Sequence, residues 1–82
     1  MKISDFIILD TEEKKLAVLH MGVLIGKRSE KASMIFLFQL ENFYVETWCN
    51  QGDKSISEFL IFDHTRSLHP YLDQIRIDDL LN

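Results

Sequence analysis

Eighty-two residues are enough for one small domain. With 46% hydrophobic and 11% aromatic residues the chain is too apolar to stay disordered, although a domain this short buries only roughly 60% of its unfolded surface. The net charge of −4 and a pI near 5.2 argue against a basic nucleic-acid footprint, and the single Cys49 excludes an internal disulfide framework.

The chain opens with four consecutive apolar residues, Phe6-Ile7-Ile8-Leu9, before a charge. That is too short for a signal-peptide core, and no stretch approaches the ~20 residues that span a bilayer. The expectation is a soluble, cytoplasmic protein with no membrane contact. Ser4 is placed to cap a short turn through Asp5–Leu9 whose apolar groups dock on the rest of the fold.

Asp10-Thr11-Glu12-Glu13 fits a capping box, with acidic groups at the positive end of the helix dipole. The spacing predicts a helix over Thr11–Met21, with Leu16, Leu19 and Val18 as its apolar stripe and Gly22 as its stop. Val23–Arg28 reads as a first strand, in which Gly26 marks a bulge or a close approach. Ser29–Ala32 is a polar connection.

Ser33–Leu40 and Phe43–Asn50 read as a second and third strand joined by Glu41-Asn42, the length and chemistry of a tight hairpin. If those two residues are the whole loop, Leu40 faces Phe43, Phe38 faces Val45, Phe36 faces Thr47 and Met34 faces Cys49. Gln39 with Tyr44, Leu37 with Glu46 and Ile35 with Trp48 then share the other face. Asn50-Gln51-Gly52-Asp53 signals a further turn, and Ser55–Phe62 a fourth strand. A four-residue loop, Gln51–Lys54, places Ile56, Glu58, Leu60 and Phe62 on the first face and Ser57, Phe59 and Ile61 on the second. This step is sensitive to a one-residue slip, which exchanges the two sets.

Leu68, Tyr71, Leu72 and Ile75 recur at helical spacing, with Ser67 as N-cap and Pro70 in the first turn, where a missing amide costs little. The predicted architecture is α+β: an N-terminal helix, a four-stranded antiparallel meander and a C-terminal helix, in one domain over 1–82.

Both faces of this sheet carry large apolar groups, whereas a small antiparallel sheet usually keeps one face wet. The first face is the expected core under the N-terminal helix. The second holds Ile35, Leu37, Tyr44, Trp48, Phe59 and Ile61 around Glu46, and is the candidate interaction surface. Either the C-terminal helix covers it, or a second copy does so about a two-fold axis.

Glu46 is the carboxylate most enclosed by apolar neighbours, flanked by Leu37 and Phe59; it is a candidate acid or base, or the partner of Lys27 or Arg28. His20, His64, His69, Cys49 and Asp63 have none of the spacings of a zinc site. Cys49 reads as a small buried hydrophobe. Gly22-Val-Leu-Ile-Gly26 lacks the spacing and context of a phosphate loop, and Asp63-His64-Thr65-Arg66-Ser67 reads as capping. No catalytic, cofactor or metal residues are assigned.

The order Phe43-Tyr44-Val45-Glu46, the Phe-rich strand before it and Pro70-Tyr71-Leu72 resemble small uncharacterised bacterial proteins of the kind common in Bacteroidetes. The resemblance implies a single intracellular α+β domain and carries no activity, cofactor or site residue. The leading expectation is a non-enzymatic module that binds a protein partner or itself through the aromatic face. The alternative is a small-molecule-binding protein, at the limit an enzyme, with a pocket around Glu46, Tyr44 and Trp48.

Overall fold

The computed structural model describes residues 1–63 and 70–71. Two helices, α1 (Ile3–Ile7) and α2 (Thr11–Met21), precede four strands, β1 (Val23–Glu30), β2 (Ser33–Leu40), β3 (Phe43–Asn50) and β4 (Ile56–Phe62). The strands form one antiparallel sheet in the order β1-β2-β3-β4, so the α+β meander is present. Of the expected C-terminal helix, Ser67, Leu68, Leu72 and Ile75 lie outside the described residues; Pro70 and Tyr71 are within them.

The capping box at α2 forms as its residue types demand. Asp10 Oδ1 accepts from the Glu13 amide at 2.8 Å, and Glu13 Oε1 accepts from the Asp10 amide at 3.1 Å. The helix ends at Gly22, whose φ of −88° is ordinary extended backbone. Glycine is needed there for space, because a Cβ would lie 2.6 Å from the Val18 carbonyl oxygen. With one residue between α2 and β1, the helix has little freedom to roll. It turns Ala17 and Val18 onto the sheet and leaves Leu16 and Leu19 exposed, which corrects the predicted stripe.

Five residues are too few for α1 to persist in isolation. It is held by Phe6, which is fully buried and lies 5.7 Å from the Phe43 ring and 6.3 Å, edge-on, from Phe59. Around this contact Ala17, Val18, Leu40, Phe43 and Val45 form the core between the helices and the sheet.

The β2–β3 register is the predicted one along its whole length, from Leu40 opposite Phe43 to Met34 opposite Cys49. The two-residue loops Lys31-Ala32 and Glu41-Asn42 each put their first residue in the left-handed region, at φ 54° and 49°. The β1–β2 pairing shifts between Leu24 and Gly26, so Ile25 is a bulge.

The β3–β4 register departs from the prediction. Cys49 pairs with Ile56 as expected, but Trp48 then pairs with Glu58, leaving Ser57 as an extra residue. Ser57 donates its hydroxyl to the Trp48 carbonyl at 3.1 Å. The bulge moves Phe59 and Ile61 to the helix side, where both pack on the core, and leaves Glu58, Leu60 and Phe62 on the opposite face. Burying Phe59 and Ile61 beside Phe6, in place of Glu58, outweighs the cost of one irregular pair.

Candidate functional site

The sequence offers one candidate surface, the face of the sheet away from the helices, and the structure adds a second on the helix side. On the side away from the helices, the structure brings together Ile35, Leu37, Tyr44, Glu46 and Trp48 as expected. Phe59 and Ile61 do not join them, and Leu60 takes the place predicted for Phe59 beside Glu46.

This face is occupied by the chain's own Tyr71, which is fully buried among Leu37, Tyr44, Ile25 and Phe62. Its ring lies on Gly26, where a Cβ would come within 2.6 Å of ring carbon Cδ1. The close approach anticipated at Gly26 is therefore with Tyr71. Gly26→Ala should cost about 1–3 kcal/mol by overpacking. It is read as a lowered denaturation midpoint; an unchanged midpoint would contradict the contact.

Beneath the ring lies a polar cluster. Tyr71 donates its hydroxyl to Glu46 Oε2 at 2.5 Å, Arg28 Nη2 donates to the same oxygen at 3.3 Å, and Trp48 Nε1 donates to Oε1 at 3.4 Å. Arg28 also donates from Nε to the Tyr71 oxygen at 3.2 Å and from Nη1 to Glu30 at 2.6 Å. Its guanidinium lies 5.5 Å from the Trp48 ring centroid and 5.6 Å from that of Tyr71. Glu46, 6% exposed, thus accepts from Arg28 and Tyr71 on Oε2 and from Trp48 on Oε1, and is held as an ion-pair acceptor. Of the two partners the sequence offered, Arg28 makes the bond.

Burial, then the bond to Glu46, push the Tyr71 hydroxyl well above its ordinary value, with Arg28 opposing. The native state therefore keeps the Tyr71 proton at pH values where the unfolded chain has lost it. Stability from this group is complete below about pH 10 and falls as pH rises beyond it. Between about pH 10 and 12 the wild type should lose stability faster than Tyr71→Phe, by up to ~1.4 kcal/mol per pH unit. Parallel curves in urea titrations across that range would show that Tyr71 is not held by its hydroxyl.

The helix side is different. Among the described residues α2 covers only one end of the sheet, and beyond it lies a groove of about 670 Å³. Its floor is Phe36, Phe38, Thr47, Cys49, Ile56 and Phe59, its walls include Val18, Leu19 and Leu24, and Glu12, Lys15 and Lys54 stand at its edge. A smaller recess of about 340 Å³ adjoins it at Met34, Phe36, Cys49 and Lys54. Thr47 is 6% exposed, and its hydroxyl has no hydrogen-bond partner among the described residues. Burial pushes the Cys49 thiol up, which favours its protonated form at neutral pH.

The groove continues into an exposed apolar surface. On that side Leu16, Leu19 and Leu24 are each about half exposed or more, with Leu19 at 62%, whereas the exposed Val23 shares the opposite face with its partner Gln39. Leu19 and Leu24 belong to both the surface and the groove. Sequence reasoning placed Leu16 and Leu19 in the core and so missed this region. The signal was present in α2, whose apolar residues fall around the helix rather than along one stripe.

Among the described residues, no three His, Cys, Asp or Glu side chains are grouped to hold a metal ion, and no helix is long and apolar enough to cross a membrane. His64 and His69 lie outside the described residues. No protein family, curated protein or solved structure matches this chain.

Proposed function

We propose that this protein is a non-enzymatic, cytoplasmic interaction module that binds a protein partner or itself, and that its working surface is on the helix side of the sheet. The observation that carries this reading is the continuity of exposed Leu19 and Leu24 with the apolar groove. A contiguous apolar surface of this kind on a small domain is what a binding interface requires. The aromatic face, first expected to serve, is already engaged by Tyr71. A pocket around Glu46, Tyr44 and Trp48 is disfavoured for the same reason, since Tyr71 and Arg28 fill the space a ligand would take.

The sheet edges support the choice. Both edge strands, β1 and β4, carry a bulge, a device that discourages another strand from pairing there.

The test uses anilinonaphthalene sulfonate, which fluoresces on apolar surfaces. Dilute wild-type protein should enhance its emission, and Leu24→Lys should reduce that enhancement several-fold while circular dichroism is unchanged. Equal enhancement by wild type and Leu24→Lys would overturn the groove as the binding surface.

A further inference from the structure

Helix α2 is apolar on two sides. Ala17 and Val18 face the sheet, while Leu16 and Leu19 are exposed, Leu19 lining a groove that is open among the described residues. Exposed leucines beside an apolar groove make a patch that association would bury. We infer that the cover is a second copy of this chain: two protomers pack about a two-fold axis, each placing Leu16 and Leu19 of its α2 in the groove of the other. This rests on the interaction reading above and names its partner.

Two observations favour a second copy. The first is that ridge and groove lie side by side on one chain, as an isologous interface requires, since the same patch must both project and receive. The second is charge. The groove edge carries both signs, Glu12 against Lys15 and Lys54, and none of the three enters an ion pair among the described residues. A two-fold axis sets Glu12 of each copy toward the lysine edge of the other, so both copies gain a matched pair.

Sedimentation equilibrium tests the arrangement. At tens of micromolar the wild type should have a mass of twice 9.7 kDa. Leu19→Glu should be monomeric at the same concentration, with an unchanged circular dichroism spectrum.

Glu12→Lys and Lys54→Glu should each weaken the dimer by roughly tenfold or more, through like charges brought together twice. Mixed together, the two variants should recover a mass of twice 9.7 kDa, because every cross-chain pair is then opposite in sign. An intramolecular role for these charges cannot give rescue by mixing.

A wild type that remains at 9.7 kDa overturns the dimer. So does a dimer indifferent to Leu19→Glu, or a mixture that is not rescued. If the wild type is monomeric while Leu24→Lys still reduces dye enhancement several-fold, the groove stands and only the second copy is wrong. If the dye result also fails, the interaction reading itself is lost.

Discussion

Glu46→Ala is expected to cost about 3 kcal/mol, a large part of the 5–15 kcal/mol that holds a domain of this kind. The carboxylate accepts from three side chains on the face closed by Tyr71, and removing it strands them together. The bond to the buried Tyr71 hydroxyl dominates, because that group has no solvent to turn to. Arg28 contributes less, since it is partly exposed and keeps Glu30.

Glu46→Gln retains an acceptor for Tyr71 and should fall between the wild type and Glu46→Ala, at about 1–2 kcal/mol. Urea midpoints order the three proteins. A Glu46→Ala midpoint within experimental error of the wild type would mean that the cluster contributes nothing to holding Tyr71.

Phe6→Ala should be at least as severe, at about 3–5 kcal/mol. The ring is fully buried and joins α1 to two strands through Phe43 and Phe59. Without it α1 has too few residues to remain helical, so the loss of packing and the fraying of the N-terminus reinforce each other. Phe6→Leu keeps most of the apolar volume and should cost under about 1.5 kcal/mol. Equal effects for the two substitutions would show that burial at this position is not what docks α1.

The β2–β3 hairpin was legible from sequence because Glu41-Asn42 fixes the pairing and leaves no alternative register for eight residues on either side. The capping box at Asp10 was legible for a similar reason, being a local arrangement of four residues. The slip in β4 was not read, although Ser57-Glu58 carried a trace of it. Two consecutive polar residues interrupt the alternation, and a bulge at the first restores Phe59 and Ile61 to the buried side.

The orientation of α2 was not legible, because its apolar residues define no single stripe and the one-residue connection through Gly22 decides which of them turn inward. The candidate site inherited both errors. Ile35, Leu37, Tyr44, Glu46 and Trp48 were correctly grouped, but Phe59 and Ile61 belong to the opposite face, and the open surface formed where Leu16 and Leu19 were expected to be buried. Tyr71 on Gly26 is a contact between residues 45 positions apart, beyond the reach of any local pattern.

The central claim is that the open side of this sheet is the one under α2, and that the aromatic face is closed from within. The direct measurement is the solution mass of Leu19→Glu and Trp48→Ala beside the wild type, each confirmed folded by circular dichroism. The account predicts that Leu19→Glu alone reduces the mass from twice 9.7 kDa to 9.7 kDa, while Trp48→Ala leaves it unchanged. The reverse sensitivity, with Trp48→Ala dissociating a dimer that Leu19→Glu leaves intact, would contradict it.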